Sequence, residues 1–261
     1  MTYPEMSDRV ALVTGAAGGM GSVIAAQLGE NGAAVALVDS DAERLRRVAK
    51  ELANADVTAE PFPTDIRSST EVEQTVAQVE ARLGPIDYLV NAAGVLRVAE
   101  GRELSNEDWN LTLDVNATGT FYVTRAVADR MAERGRGAVV TVASNAANTP
   151  RTGMAAYAAS KAATTMFTKV LGLELAGHGV RCNVVAPGST ETEMLSSLWT
   201  DGDWRRASIE GVADQFRLGI PLGKVAQPGD VADAVLFLLS DRAGHITMHD
   251  LTVDGGATLG H

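Results

Sequence analysis

The sequence predicts an α/β fold: one doubly wound parallel sheet with helices on both faces. Two observations carry this. Short apolar runs of strand length alternate with longer amphipathic runs of helix length. Strands alternating with helices of that size imply βαβ units, and so a parallel sheet covered on both sides. The chain has 261 residues, with no internal repeat, low-complexity tract or long linker. That length fits a single domain over 1–261.

The first strand is Val10–Thr14, and a glycine-rich turn leads from it into a helix over 21–30. A second strand covers 34–38. Ser40 or Asp41 then caps a helix over 42–52. A short extended run precedes Asp65, and a helix follows over Ser69–Leu83. After a strand at 88–90, Ser105 or Asn106 opens a helix over 106–133. A strand at 138–143 precedes a helix over 155–176, and another strand fills 180–186. Pro228 suits the first turn of a helix over Pro228–Leu239. A last strand covers 251–253. Residues 189–221 break the rhythm, with no clean strand but with Met194, Trp199, Trp204 and Phe216. They follow a strand end, where open α/β sheets bind ligands, so they read as a small flap over a substrate pocket.

Composition narrows the function. The net charge is −11, from 22 basic and 33 acidic residues, and 46% of the chain is hydrophobic. No basic footprint is offered to nucleic acid or to an anionic membrane. An anionic substrate would need a local positive anchor. The one cysteine, Cys182, sits in an apolar run and reads as a small buried hydrophobe. No apolar stretch approaches the ~20 residues of a membrane span. The first ten residues lack the basic start and apolar core of a secretory signal. A soluble, cytoplasmic protein is expected. His178, His245, His249 and His261 are not spaced as a metal site, so no metal is expected.

The chemistry begins at Thr14-Gly15-Ala16-Ala17-Gly18-Gly19-Met20-Gly21. Glycines permit a tight turn, and the helix N-terminus offers free N–H groups to a pyrophosphate. The second strand ends at Asp39, eighteen residues past Gly21. A carboxylate there hydrogen-bonds the adenosine ribose hydroxyls and repels a 2′-phosphate, so NAD is preferred over NADP. Arg44, Arg46 and Arg47 read as a solvated helix face with Glu43 and Glu51. Asp65-Ile66 and Asn91-Ala92-Ala93-Gly94 follow extended runs and bring backbone near the same cofactor.

Tyr157 and Lys161 are four residues apart on a predicted helix and so share a face. A nearby cation favours an ionised phenol, making Tyr157 a base for an alcohol proton. Ser144 lies thirteen residues upstream, at a strand end.

Together these residues resemble the short-chain dehydrogenase/reductase family, whose fold is the Rossmann type. The matches are Thr14–Gly21, Asp65, Asn91–Gly94, Asn116, Ser144, Tyr157 with Lys161, and Pro187-Gly188 with Thr192, in the expected order. Ala92 departs from the pattern, where the family usually carries a second Asn. The resemblance implies Tyr157 as acid/base and Lys161 as the residue that binds the nicotinamide ribose and depresses the tyrosine pKa. Ser144 would hydrogen-bond the reacting oxygen, and Asn116 would hold a water through a helix distortion. It assigns to the cofactor Gly15, Gly19, Met20, Gly21, Asp39, Asp65, Ile66, Asn91, Ala92, Gly94, Tyr157, Lys161, Pro187, Gly188, Thr190 and Thr192. It also implies a homotetramer, with dimer faces on the helices over 106–133 and 155–176.

Further runs, among them Asn91 to Arg97, Thr149 to Met154 and Gly219 to Lys224, look like the subfamily that oxidises 2,3-dihydro-2,3-dihydroxybenzoate. That implies a small cyclic carboxylic acid as substrate and a catechol acid for siderophores as product. Arg151 is the first candidate for the carboxylate and Arg97 the second. Leu96, Met154, Met194 and Phe216 are the expected apolar walls. The 2-amino analogue, trans-2,3-dihydro-3-hydroxyanthranilate, stays open. So does a catalytically silent NAD-binding scaffold, which would have been expected to lose Tyr157, Lys161 or Ser144.

Overall fold

A computed structural model describes residues 2–196 and 204–260. β1 (Val10–Thr14), α1 (Gly19–Glu30), β2 (Ala34–Asp39), α2 (Ala42–Asn54), β3 (Ala59–Pro63), α3 (Ser69–Leu83) and β4 (Ile86–Asn91) form the first half. The second half holds α4 (Asn106–Leu113), α5 (Thr120–Arg134), β5 (Gly137–Val142), α6 (Ala155–Leu175) and β6 (Val180–Pro187). It continues with α7 (Glu193–Ser196), α8 (Trp204–Glu210), α9 (Pro228–Leu239) and β7 (Asp250–Val253). The strands make one seven-stranded sheet in the order β3-β2-β1-β4-β5-β6-β7, parallel throughout. The predicted α/β architecture is the one observed.

Alternation along the strands divides the core. Ala11 and Val13 of β1 face one apolar layer with Ile24 and Leu28 of α1 and Val231, Val235 and Leu238 of α9. Val10 and Leu12 face the other, with Val72, Val76 and Val79 of α3 and Val127 and Met131 of α5. This period of two is why the strands read as continuous apolar runs.

The caps resolve the sequence alternatives. The Asp41 side chain accepts from the Arg44 N–H at 3.0 Å and opens α2. The Ser105 hydroxyl accepts from the Asp108 N–H at 3.0 Å and opens α4. Pro228 takes the first turn of α9, with a Gln227–Asp230 capping box.

Three features differ from expectation. β3 contains Pro61 and Pro63 and reads poorly as a strand; it lies at the sheet edge, where a missing N–H is tolerated. The helix expected over 106–133 is interrupted at Asp114–Gly119 by a π-helical turn. The flap segment holds two short helices and a tight turn in which Val212 pairs with Arg217. Trp199 lies outside the described residues.

Candidate active site

β1 and β4 are neighbours, although β2 and β3 lie between them in sequence. Chains leave to opposite sides there, and a cleft opens at the carboxyl ends of the strands. Its floor is the glycine turn. Gly15 has φ +69°, and a Cβ on it would stand 2.8 Å from the Ala92 carbonyl oxygen and the Ala93 backbone. A Cβ on Gly21 would stand 2.2 Å from the Gly15 carbonyl oxygen, so α1 seats on β1 only without one. These contacts leave backbone N–H groups at the start of α1 facing the cleft.

The cleft holds about 510 Å³ and is lined by Gly15, Gly19, Met20, Asp39, Asp65, Ile66, Ala92 and Gly94 among others. Asp39 accepts from the Ala17 N–H at 3.2 Å and the Asp41 N–H at 3.0 Å, which fixes its carboxylate at the rim. A side-chain-free floor with free N–H donors and a fixed carboxylate at one end fits a nicotinamide dinucleotide. Asp65 also lines the cleft, and Arg67 grips it and holds its carboxyl below the ordinary range.

Some expected cofactor residues sit elsewhere. The Asn91 amide donates to Thr124 Oγ1 at 2.8 Å and is buried beneath the cleft, so it ties β4 to α5. Gly21 acts through close packing. Pro187, Gly188 and Thr190 line a smaller adjoining pocket, while Thr192 lines both. Arg44 does not stay on a solvated face with Glu43 and Glu51. Its guanidinium leans over Gly18 and pairs with Glu193 of α7 at 2.9 Å, where the flap passes the cleft.

The smaller pocket, of about 80 Å³, joins the cleft through Met20, Thr192 and Met194. Ser144 and Tyr157 line it. Ser144 follows β5 by two residues, and its Oγ accepts from the Ala146 N–H at 3.1 Å. Tyr157 lies in the first turn of α6 and hydrogen-bonds Ser144. Burial raises the Tyr157 pKa, while the Ser144 hydrogen bond and then the Arg151 charge lower it.

Lys161 lies one turn further along α6. Its Nζ donates to the Val142 carbonyl at 2.9 Å and stands 5.7 Å from the Tyr157 ring centre. Burial pushes the ammonium down to about 8. The Arg151 charge also acts on the phenol, a second cation that sequence reasoning did not place there. Gly94 lets the backbone pass close by: a Cβ there would stand 3.4 Å from both Lys161 Nζ and Asn116 Oδ1.

Asn116 is in the π turn, as a helix distortion at that residue would require. Its Oδ1 accepts from the Val95 N–H at 2.8 Å, and its Nδ2 donates to the Val95 carbonyl and to Ser160 Oγ, each at 2.9 Å. These bonds fix the π turn against the β4 loop and α6.

Leu96, Met154, Met194 and Arg151 line the small pocket. Phe216 does not: its backbone is left-handed at φ 53°, and the ring is 92% exposed. Arg97 does not either. It lines the larger cleft and pairs with Asp108 at 3.3 Å.

Arg151 is partly buried, and burial lowers its pKa against the opposing charge of Asp254. Its Nη2 donates to Asn145 Oδ1 at 2.9 Å, while its Nε is buried with no hydrogen-bond partner among the described residues. The Asn145 amide donates in turn to Asp254 Oδ2 at 3.1 Å. Asp254 also accepts from the Gly256 N–H, the Thr258 N–H and Thr258 Oγ1. An anion on the far side of Asn145 thus turns its carbonyl toward Arg151. Neither Asn145 nor Asp254 is among the site residues that the sequence singled out. Nor is Arg217, which lines the same pocket. Cys182 is buried as expected, with its thiol raised to about 12 by burial.

A glycine-floored cleft at the switch point, opening onto a tyrosine–serine pocket, defines a dinucleotide-dependent oxidoreductase. The chain belongs to the short chain dehydrogenase family, whose model matches residues 9–203. A 2,3-dihydro-2,3-dihydroxybenzoate dehydrogenase of Bacillus subtilis (strain 168) is 53% identical over 260 residues, covering 100% of each chain. The enzyme of that name from Escherichia coli (strain K12) is 43% identical, covering 98% of this chain and 99% of its own. Among solved structures, a gluconate 5-dehydrogenase from Burkholderia cenocepacia J2315, in complex with NADP and tartrate, superposes with a TM-score of 0.89 at 32% identity. The match covers 97% of this chain and 96% of that one. The protein is an enzyme, an oxidoreductase of a family that uses nicotinamide cofactors. Among the described residues no helix is long and apolar enough to cross a membrane.

Proposed function

We propose that the enzyme oxidises the ring alcohol of a cyclohexadiene carboxylic acid, 2,3-dihydro-2,3-dihydroxybenzoate, with NAD⁺ as acceptor. The observation that carries the substrate is Arg151. It reaches the pocket of Tyr157 and Ser144 with a buried Nε that nothing among the described residues satisfies. An unmet buried donor is costly, and a ligand carboxylate would meet it. Two full-length relatives carrying the name of this activity support the reading.

The bound cofactor supplies hydride acceptance. The chain's own residues do the rest. Tyr157 takes the hydroxyl proton, and Ser144 orients the reacting oxygen by hydrogen bonding. Lys161 meets the nicotinamide ribose and Asn116 holds the π turn of the proton path. Asp39 selects the adenosine ribose with a free 2′-hydroxyl, which favours NAD over NADP. Leu96, Met154 and Met194 exclude water around the ring. The ketone product can tautomerise to an aromatic ring, which makes the direction effectively one-way.

We read residues 1–261 as one catalytic domain with 189–221 as its flap, a reading supported by Thr190, Thr192 and Met194 on the pocket wall. A homotetramer accords with the exposed apolar side chains of Phe121, Met166, Val170 and Leu173 on α5 and α6. A cytoplasmic setting accords with the single, buried cysteine.

The test is Arg151→Met. It should raise KM for the acid at least tenfold and spare a neutral cyclic alcohol. Equal loss on both substrates would refute the carboxylate assignment.

A further inference from the structure

We propose that Asn145 is a positioning residue for substrate recognition: a neutral spacer that passes a fixed direction from Asp254 to the Arg151 guanidinium without neutralising it. The proposal deepens the function above and rests on it for the carboxylate that Arg151 meets.

The segment that supplies Ser144 also builds the spacer. Asn145 opens a 3₁₀ turn, Asn145–Ala147, directly after Ser144. Its carbonyl accepts from the Thr149 N–H at 3.1 Å. That bond folds the chain back, so that Arg151, six residues on, meets the Asn145 side chain. Asp254 arrives from 109 residues away, just past the end of β7, which pairs with β6. A Cβ on Gly188, next to the end of β6, would stand 2.6 Å from Asp254 Cβ and 3.2 Å from Asn145 Nδ2. The bare backbone of Gly188 is what lets the two side chains meet. Both are nearly sealed from solvent, Asn145 at 4% and Asp254 at 8% exposure.

The chemistry on either side fixes the amide. An arginine only donates, and an ionised carboxylate only accepts. Burial raises the Asp254 pKa, but hydrogen bonds from Thr258, Asn145 and Gly256 outweigh it and hold the carboxyl below its ordinary range. The Asn145 amide nitrogen must then face Asp254 and its Oδ1 must face Arg151, as they do at 3.1 and 2.9 Å. Gly256 and Thr258 hold the Asp254 oxygens from the other side, so the carboxylate cannot swing. A carboxylate at position 145 would grip Arg151 harder and also cancel its charge. The neutral amide takes one Nη2 hydrogen and leaves the charge in place. The Arg151 Nε has no partner among the described residues, and the side chain lines the pocket of Tyr157 and Ser144. A guanidinium meets a planar carboxylate as a fork, so its tilt decides whether both bonds form. Asn145 sets that tilt.

The experiment uses the full-length enzyme with Asn145→Ala, Asn145→Asp, Arg151→Met and the double variant of Asn145→Ala with Arg151→Met. Calorimetry with NAD⁺ present measures the affinity of benzoate as probe. Steady-state kinetics compare the cyclic acid with its methyl ester, and NAD⁺ affinity and thermal unfolding report on folding. Asn145→Ala should weaken benzoate about tenfold and raise KM for the acid similarly, with kcat changed less than KM. Asn145→Asp, nearly the same in shape, should lose about 10- to 100-fold, because its carboxylate pairs with Arg151 directly and repels that of the ligand. In both variants the loss on the acid should exceed the loss on the ester by about tenfold. In the double variant the alanine should add about twofold or less to the loss caused by Arg151→Met, because Asn145 acts through that guanidinium. A residue that only supports the fold would lose acid and ester alike, and its effect would multiply with that of Arg151→Met. Either result overturns the proposal, as does parental benzoate affinity in Asn145→Asp. If Asn145→Ala folds poorly, Asn145→Asp carries the same comparison of acid with ester. The two claims separate. If benzoate depends on Asn145 and Arg151 but the enzyme turns over no cyclohexadiene acid, the substrate reading fails and the spacer stands. If the acid is oxidised and Arg151→Met loses it selectively, while the Asn145 variants lose acid and ester equally, the spacer fails and the substrate reading stands.

Discussion

Lys161→Met should make the protein more stable at neutral pH while abolishing its activity. Lys161 is 6% exposed, and burial moves its pKa from 10.5 to about 8. Between those values the unfolded chain keeps a proton that the native state has lost. Stability therefore rises as pH climbs through this window, and the full burden applies below about pH 8. At about 1.4 kcal/mol per pH unit, that burden is ~3 kcal/mol. The methionine removes the charge but leaves the Val142 carbonyl without its donor, at a cost of about 1 kcal/mol. The variant should thus be about 2 kcal/mol more stable than the parent at pH 7 and slightly less stable near pH 10.5. Urea unfolding of both proteins across this range measures the difference, in which other titrating groups cancel. A difference that stays flat with pH, or runs in the opposite direction, refutes the reasoning. Such a result would mean that Lys161 is solvated or paired in the native state.

Three further outcomes are expected. Ser144→Ala removes a hydrogen bond that lowers the Tyr157 pKa, so the rising limb of kcat/KM against pH should move to higher pH. An unmoved limb would separate Ser144 from the titrating group. Asp39→Asn should lower kcat/KM with NAD⁺ about tenfold or more and raise it with NADP⁺; unchanged preference would remove Asp39 from cofactor selection. Asp254→Asn lets the Asn145 amide reverse, so KM for the acid should rise while the methyl ester is spared, with ~1–3 kcal/mol of stability lost. Equal kinetic loss on both compounds would make Asp254 purely structural.

The sequence made the sheet legible because its strands are buried on both faces and show as unbroken apolar runs. β3 escaped because an edge strand tolerates Pro61 and Pro63, which argue against any central strand. The π turn was implied only by the family resemblance at Asn116, because no local residue announces it. It is fixed by distant contacts, including Asn116 with Val95 and Ser160. Within the site, motif residues at strand ends were readable from spacing. The electrostatics were not. Neighbours at i and i+4 placed Lys161 beside Tyr157, where its ammonium stands 5.7 Å from the ring centre, but gave no sign of the Arg151 charge on the phenol. Arg97 ranked second to Arg151 in sequence, and Asp108 draws it away. Arg217 sits in a segment without periodicity, and only the folded turn brings it beside Arg151.

The most direct test is an initial-rate assay of the unmodified enzyme with 2,3-dihydro-2,3-dihydroxybenzoate, following NADH and the aromatic product together. Equal amounts of NADH and 2,3-dihydroxybenzoate are predicted, with NAD⁺ used in preference to NADP⁺ and the reaction lost in Tyr157→Phe. Retained activity in that variant, or no NADH from this acid while NAD⁺ still binds, would contradict the proposed function.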